Sequence, residues 1–410
     1  MKLFEIKRET PGWLLTESKN VHLEHLEDLV FNLGYAGASS ALDYIESLRH
    51  MLAEGTGTTS KLTVKWDGSP AIICGVDPQD GRFFVGTKAV FSKESKACKS
   101  AKDIERFYGD QPDLAEILAQ ALKYLSKLNI GGVIQGDMMF TENSKTQENI
   151  NGENCIAFTP NTITYAVPTN SHIGDRIARA KFGIIFHTSY EGASLAEMKA
   201  GFLVNIQGLK HHNDVWFDDA TYKDYTGIAS LTPTENNKII KMMTATQSTM
   251  EKVGQQRFDV IIQNKEFARY DKPFVNKSVR GGAQIDNPSK FLQDFMNYYH
   301  SEQVKDIEDP TSRKAQNRMV KIKEKEQWIA DNSNALLGVL AVYKRLIEMK
   351  AVLLRKLQQV EGIGTFQKTA DGYKVTTPEG FVAIGHDGGA VKLVDRLEFS
   401  RQNFNKPKRA

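Results

Sequence analysis

The stretch KLTVKWDG, residues 61–68, is the most informative part of this 410-residue chain. Its first four residues alternate between polar and apolar side chains, which predicts a β-strand. Lys65 follows at the strand end and precedes the Asp67-Gly68 pair. A lysine in a desolvated pocket or beside other cations loses its proton more readily, and the neutral amine is a nucleophile. The stretch therefore predicts either a reactive lysine held against a phosphate or an ordinary surface turn that ends in Asp-Gly.

Four further segments carry short polar signatures inside apolar runs. They are GVIQGDMMF (132–140), KFGIIFH (181–187), PEGFV (378–382) and VKLV (391–394). With residues 61–71 placed first, they resemble motifs I, III, IIIa, IV and V of the covalent nucleotidyltransferases, the superfamily of polynucleotide ligases and mRNA capping enzymes. Single matches are common by chance, whereas five in the family's order favour membership.

The resemblance implies a role for each matched residue. Lys65 is implied to take AMP from ATP, and Lys392 is implied to be a second catalytic lysine that contacts the α-phosphate. Glu379 and Asp137 are the implied ligands of Mg²⁺, a cation that neutralises charge as pyrophosphate leaves. The implied nucleotide-binding residues are Lys65, Asp67, Gly68, Lys88, Asp137, Phe186, Glu379 and Lys392, with Phe186 stacking on the base and Phe182 a weaker choice for that role.

Each of these residues also has an ordinary structural explanation. Asp137 and Glu379 fit carboxylates at strand ends. Phe186, like its neighbours in an apolar run, fits the core of a sheet, and Lys392 fits a solvated strand lysine. The motif set, rather than any single residue, therefore carries the interpretation.

Departures from the family pattern point to one branch of it. The continuation with Ser69 after Lys-x-Asp-Gly is similar to phage RNA ligases of the tRNA-repair type, and so is the Thr87-Lys88 segment. Asp137 stands where the family usually has glutamate, and Val394 fills the place of a second motif V lysine. Only 16 residues follow motif V, so we expect no C-terminal OB domain.

Composition limits the possible classes of protein. Hydrophobic residues make up 40% and charged residues 25% of the chain, which is typical of a globular protein. No run of about 18 apolar residues occurs, so we expect no membrane span. The three cysteines are widely spaced and fit reduced thiols in the cytoplasm rather than a four-cysteine zinc site. With a net charge of +3, contacts to nucleic acid must come from local clusters.

Periodicity divides the chain into four segments. Residues 1–60 predict a small N-terminal helical region in which Gly34 ends a helix. Residues 61–229 predict short strands and one helix at 113–128, and residues 365–410 predict more strands. Between them, residues 230–364 predict a large helical insertion, with helices at 233–253, 288–299, 312–329 and 334–360. The expected fold is α+β, a nucleotidyltransferase core of antiparallel sheets interrupted by this insertion.

A basic stripe is predicted within the insertion. Four cations at i, i+4, i+7 and i+11 share one helical face, and such a row can follow a phosphate backbone. A solvated helix face explains the same spacing equally well. The residues of this proposed nucleic-acid-binding stripe are Lys314, Arg318, Lys321 and Lys325. Residues 276–282 predict a second, weaker candidate, a flexible basic loop.

The sequence thus favours an ATP-dependent polynucleotide ligase that acts through a covalent lysyl-AMP intermediate. Its expected partners are ATP, Mg²⁺ and a polynucleotide with 5′-phosphate and 3′-hydroxyl ends, RNA being favoured over DNA. A DNA nick ligase, a capping-type GTP transferase and an inactive nucleic-acid-binding protein with the same fold stay open as alternatives.

Overall fold

The computed structural model describes residues 23–54, 61–150, 152–202, 204–221, 230–358, 364–369, 372–375, 380–384 and 390–404. The strands are β1 (Glu24–His25), β2 (Lys61–Lys65), β3 (Ala71–Val76), β4 (Phe83–Gly86), β5 (Val133–Thr141), β6 (Lys145–Ile150), β7 (Glu153–Phe158), β8 (Thr164–Pro168), β9 (Phe182–Glu191), β10 (Lys199–Gly201), β11 (Val215–Asp219), β12 (Gly364–Thr369), β13 (Gly372–Val375), β14 (Gly380–Ile384) and β15 (Ala390–Leu393). The helices are α1 (Leu29–Glu54), α2 (Ala101–Tyr108), α3 (Pro112–Leu125), α4 (His172–Arg179), α5 (Pro233–Val253), α6 (Gln255–Phe258), α7 (Val260–Gln263), α8 (Lys265–Arg280), α9 (Pro288–Val304), α10 (Arg313–Asp331), α11 (Ser333–Leu357) and α12 (Arg396–Phe404). The predicted α+β class is confirmed.

The chain divides into two compact units. The sheet unit comprises Met1–Leu23, Thr59–Thr226 and Glu361–Val391, and the helical unit comprises Glu24–Thr58, Gly227–Val360 and Lys392–Ala410. This division differs from the predicted segments, because α1 joins the helical insertion and the segment 365–410 is shared between the units. The reason is that α1 packs against α5 and α11, partners far away in sequence. Local periodicity does not reveal such partners.

The centre of the sheet unit is a six-stranded sheet in the order β10-β9-β5-β3-β4, with β11 paired in parallel to β9. Its apolar side chains alternate between two faces, as strand geometry requires. One face packs on α3 through residues such as Ile72, Ile134 and Leu118. The other packs on the second sheet, β13-β12-β8-β7-β6, through Phe140 and Tyr165. The long strands β5 and β9 are therefore covered on both sides.

Strand β2 pairs antiparallel with β14, far along the chain. The register sets Lys65 opposite Gly380 and Val64 opposite Phe381. The Val64 amide also donates a hydrogen bond to the Ala220 carbonyl, at 2.7 Å. The end of β2 is thus fixed from both sides.

In the helical unit, α1 is broken at the glycine that we expected to end a helix. Gly34 has φ 56° and ψ −131°, values outside the helical region. A side chain at this position would also collide with Asp259, whose Oδ1 accepts a hydrogen bond from the Tyr35 amide at 2.6 Å. Only glycine combines that backbone conformation with so close an approach, so the predicted break at Gly34 is confirmed.

A buried ionic network in the helical unit joins the 3-10 helix Leu26–Asp28 to α11 and α12. The Lys350 ammonium donates to both carboxylate oxygens of Glu27, at 2.7 and 2.6 Å, and both side chains are nearly inaccessible. The Arg396 guanidinium donates to Asp28 at 2.8 Å and to the Tyr343 hydroxyl at 3.3 Å. Burial alone raises the pKa of Glu27, but Lys350 and the neighbouring His25 and Arg396 outweigh it and hold the pKa at about 2.

The helices of the insertion agree closely with the sequence. The prediction for α5 is correct at both ends, and those for α9, α10 and α11 are correct in position but differ at their ends. The predicted basic loop at 276–282 is wrong in its first part, because residues 276–280 form the last turns of α8. Among the described helices, none combines the length and the apolarity that crossing a bilayer requires.

Candidate active site

A cavity of about 150 Å³ opens in the sheet unit where β2 ends. Its walls come from β2, from the segment after β4, from β5, β9 and β14, and from the loops around them. The polar residues that line it are Thr63, Lys65, Lys88, Gln135, Asp137, His187, Thr188 and Tyr190. Three residues of the predicted site, Lys65, Lys88 and Asp137, therefore lie together.

Strand pairing brings the segments that resemble motifs I and IV together. Lys65 is the last residue of β2 and lies opposite Gly380, the first residue of β14. Gly380 follows Glu379 in sequence, and Glu379 itself lies outside the described residues. Val382, two residues further along β14, lines the cavity. The predicted metal-binding role of Glu379 stays a prediction.

The segments that resemble motifs I, III and IIIa occupy neighbouring strands. Ala71 at the start of β3 pairs with Asp137 of β5, and Asp137 pairs with Ile185 of β9. The Ser69 amide donates to the Met138 carbonyl at 3.0 Å. The loop after Lys65 is thereby held directly against β5.

Asp67 is a buried anchor of that loop. Its carboxylate accepts hydrogen bonds of 2.7–2.8 Å from Asn161 Nδ2, from the Thr162 amide and hydroxyl, and from the Ile163 amide. Its own amide donates to the Tyr165 hydroxyl at 2.7 Å. Four donors satisfy the carboxylate, so the predicted direct contact of Asp67 with the nucleotide does not fit. The hydrogen bonds of Asp67 instead fix the loop that follows Lys65, and so hold Lys65 in the cavity wall.

Gly68 is required by packing within the protein. A Cβ at this position would lie 2.5 Å from the Cβ of Asp137 and 3.0 Å from the Met138 carbonyl oxygen. The absence of a side chain at Gly68 thus allows the loop to approach β5 closely. A larger residue here would displace the strand that carries Asp137.

Lys88 begins the short 3-10 helix Lys88–Phe91 directly after β4. Thr87 caps this turn by accepting a hydrogen bond from the Ala89 amide at 3.3 Å. The Thr87 hydroxyl is also 3.0 Å from the Tyr108 hydroxyl of α2. The turn is anchored on both sides, which fixes the lysine at the cavity wall.

Phe186 does not line the cavity, so the predicted stacking role is wrong. Its ring is fully buried in the core that α3 covers, 6.2 Å from the ring of Phe217, and Phe182 is buried in the same core. The reason lies in the pairing of β9 with β5. Gln135 pairs with Thr188 and Gly136 with Phe186, so an irregularity leaves His187 as an extra residue.

His187, the neighbour of Phe186 on β9, lines the cavity in its place, and the sequence did not indicate it. A bulge re-aims side chains and is frequent beside active sites. His187 Nε2 lies 3.4 Å from Asp137 Oδ1, and Nδ1 lies 2.7 Å from the Thr188 hydroxyl. Its position next to Phe186 was the only signal in the sequence, and that signal does not reveal a bulge.

Gln135 and Tyr190 form a second polar pair at the cavity that the sequence did not indicate. The Tyr190 hydroxyl donates to Gln135 Oε1 at 2.6 Å. Burial raises the pKa of Tyr190 to about 12, so the hydroxyl keeps its proton at neutral pH. Both side chains are nearly buried, and the pair therefore gives this wall a fixed shape.

Trp66, the variable residue of Lys-x-Asp-Gly, also lines the cavity. Its ring packs on Tyr165 at 5.2 Å between centroids. Its Nε1 is buried and has no hydrogen-bond partner within the described part of the chain. An unsatisfied donor of this kind costs about 1–3 kcal/mol.

Lys392 lies on β15 and belongs to the helical unit. The α-phosphate contact predicted for it therefore stays a prediction.

The predicted basic stripe on α10 is contradicted at two of its four residues, Arg318 and Lys325. Lys325 is only 3% exposed, donates to Asn264 at 2.9 Å and lies over the Trp328 ring. Burial lowers the pKa of Lys325, opposed by Glu266. Arg318 is half-buried and donates to Gln303 at 2.7 Å.

Helix geometry explains this outcome. Ala315, Ile322 and Lys325 are all buried residues of α10, and Arg318 lies on the same side. The buried face of α10 therefore includes two of the four cations, Arg318 and Lys325. Lys314 and Lys321 remain exposed, and Lys314 also donates to the Asp306 carbonyl at 2.7 Å.

Metal-binding capacity among the described residues is limited. No group of three or more His, Cys, Asp or Glu side chains is arranged around one point there. Asp137 and His187 form the closest approach of such side chains at the cavity. A cation at this site would need oxygen atoms from substrate or water to complete its coordination.

Comparisons with known proteins provide a family but no activity. No curated protein and no solved structure matches this chain. A protein-family model matches residues 20–408, nearly the whole chain. The chain therefore belongs to the family of unknown function DUF6267.

Proposed function

We propose that the protein is an ATP-dependent polynucleotide ligase that acts through a covalent lysyl-AMP intermediate. The sheet unit would be the nucleotidyltransferase core, and Lys65 the nucleophile. The polynucleotide would carry 5′-phosphate and 3′-hydroxyl ends. RNA is favoured over DNA because residues 65–69 resemble phage RNA ligases.

One observation supports this proposal above all. Four sequence segments that resemble motifs I, III, IIIa and IV all contribute lining to one cavity, although more than 300 residues separate the first from the last. Lysine, carboxylate and imidazole side chains meet there. An ordinary surface turn at Asp67-Gly68, the alternative explanation, would not require such convergence.

The cavity residues suit the proposed reaction in distinct ways. Lys65 would attack the α-phosphorus, form a P–N bond and release pyrophosphate. Lys88, on the anchored turn after β4, is a fixed positive charge for the phosphate oxygens. The buried Asp67 would act on the geometry of Lys65, because its four hydrogen bonds tie the loop to residues 161–163.

Mg²⁺, the cation implied by the resemblance, is compatible with one oxygen ligand from Asp137. Mg²⁺ commonly binds through one or two carboxylates together with waters and substrate phosphates. Its chemical contribution would be to neutralise negative charge on the phosphates. Glu379 and Lys392 keep their proposed roles as metal ligand and α-phosphate contact.

Covalent labelling tests the proposal. The protein is incubated with ATP or GTP labelled at the α-phosphate and Mg²⁺, and then run on a denaturing gel. We expect an acid-labile label from ATP that is lost in Lys65→Ala. The matched control is Lys102→Ala, an exposed lysine of α2, which should label like the parent. Equal labelling of Lys65→Ala, or a parent that labels with neither nucleotide, contradicts the proposal.

A further inference from the structure

We propose that Asp137 and His187 form a mixed oxygen–nitrogen site for a divalent cation that prefers Mn²⁺ over Mg²⁺. His187 was not among the residues that the sequence indicated. The role of this cation in catalysis rests on the proposed function, whereas its binding does not.

The distance between the two side chains carries the first part of the argument. His187 Nε2 and Asp137 Oδ1 are 3.4 Å apart. A charge-assisted hydrogen bond would be shorter, about 2.7–2.9 Å. Two neighbouring ligand atoms of one octahedral cation, each at about 2.1 Å, lie about 3.0 Å apart. The observed 3.4 Å is longer than such a hydrogen bond and closer to the spacing of two ligands on one cation.

The hydroxyl of Thr188 is the second feature that favours a cation site. This hydroxyl lies 2.7 Å from His187 Nδ1. When Nδ1–H donates to this hydroxyl, Nε2 carries the lone pair, and Nε2 is the ring nitrogen that lies 3.4 Å from Asp137 Oδ1. Metal-ligating histidines characteristically use their second ring nitrogen in this way. Thr188 is the next residue of β9 and resumes the regular pairing, opposite Gln135 of β5.

Another histidine–aspartate pair in the same unit provides a contrast. His212 Nδ1 lies 3.6 Å from Asp214 Oδ2. There, His212 Nδ1 already accepts a hydrogen bond from the Asp214 amide at 3.1 Å. Lys127 binds the Asp214 carboxylate at 2.6 Å. At this second pair, both the Nδ1 lone pair of His212 and the carboxylate charge of Asp214 are therefore already engaged by protein groups.

The donor types decide which cation is preferred. Mg²⁺ favours an all-oxygen shell, whereas imidazole raises the affinity for later divalent metals. Asp137 and His187 are both about a quarter exposed, 23% and 27%, and both line the cavity. Solvent and phosphate oxygens therefore have access to the remaining coordination positions.

The test is a titration of the full-length protein with Mn²⁺ and, separately, Mg²⁺ in the absence of nucleotide. Free Mn²⁺ is followed by electron paramagnetic resonance, and both metals by calorimetry. We expect one Mn²⁺ site per chain with weaker Mg²⁺ binding, and loss of that site in His187→Gln and in Asp137→Asn. Thr188→Val should weaken Mn²⁺ by roughly tenfold or more, as loss of a supporting hydrogen bond does.

His212→Gln is the matched control and should bind Mn²⁺ like the parent. Circular dichroism verifies that each variant is folded, and Thr188→Val changes no ligand atom. Absence of a Mn²⁺ site in the parent, or equal affinity in parent and His187→Gln, overturns the proposal. Failure of nucleotide labelling with Mn²⁺ binding intact would contradict the proposed function and leave this site standing.

Discussion

Two lysines of the sheet unit and two lysines of the helical unit have opposite surroundings. In the sheet unit, Lys65 and Lys88 line a cavity that an outside ligand can enter. In the helical unit, Lys350 and Lys325 are each 3% exposed and are occupied by partners inside the protein. Sequence spacing predicted a function for Lys325 and none for Lys350. The comparison teaches that space around a cation, rather than its periodicity, decides whether it is available to a substrate.

The largest effect on stability is expected from the buried pair in the helical unit. Lys350→Met leaves the Glu27 carboxylate buried without its main partner, which typically costs about 3–5 kcal/mol. Urea unfolding followed by far-UV circular dichroism measures this loss, because most helices belong to this unit. Lys344→Met, at a half-exposed lysine 3.8 Å from Glu348, is the control and should change the free energy of unfolding by less than about 1 kcal/mol. A similar loss of unfolding free energy in Lys350→Met and Lys344→Met would contradict the distinction between buried and exposed lysines.

The acid sensitivity of the helical unit should come partly from His25. Burial lowers its pKa to about 3, with Glu27 opposing and Arg396, Lys350 and Lys392 adding to the shift. The unfolded chain takes up this proton near pH 6.5, so the stabilisation present above pH 6.5 is lost as the pH falls towards 3. The slope is at most about 1.4 kcal/mol per pH unit. His25→Gln should flatten the dependence in urea titrations between pH 6.5 and 4.

Asp271 should affect the pH dependence of stability in the direction opposite to His25. Burial raises the pKa of Asp271 to about 7, opposed by the Lys272 amide. Its contribution is therefore complete below about pH 3.8 and is lost as the pH rises through 7. Asp271→Asn should gain stability relative to the parent over that interval. If both variants shift the pH profile in the same direction, the assignment of these two buried groups is wrong.

The smallest effect is expected on α10. Only Lys314 and Lys321 are exposed among its four predicted contacts, so the double change to Gln should reduce the salt slope of single-strand binding by at most about 1.4, or about 0.7 per contact. Lys325→Met, which keeps the side-chain volume, should leave the slope unchanged. Binding is measured by fluorescence anisotropy at several salt concentrations. A lower slope in Lys325→Met would contradict the burial argument.

The sequence was sufficient to predict helix ends and breaks where residues with special backbone preferences, such as glycine, proline and capping residues, mark them. The boundaries of α5 follow from Pro233 at its first position, from the capping box of Thr232 with Glu235, and from Gly254 after its end. Gly34 marked the break in α1 for a comparable reason. These features depend on neighbouring residues and are therefore visible without a fold.

The site was only partly predictable because it depends on strand register. Lys65, Lys88 and Asp137 were expected and do line one cavity. His187 was missed, and Phe186 was chosen instead, because a single bulged residue in β9 changes which side chain faces the cavity. Asp67 was assigned to the ligand because its partners, residues 161–163, lie almost 100 positions away.

The most direct test of the central claim is to locate the nucleotide on the chain. The parent protein is incubated with ATP and a divalent cation, and the peptides are then examined by mass spectrometry under alkaline conditions that preserve a P–N bond. The cavity around Lys65 predicts one AMP per chain, attached to Lys65, and none in Lys65→Ala. AMP attached to Lys88 or to a lysine outside the cavity, or a parent that gains no AMP, would contradict the assignment of Lys65 as the nucleophile.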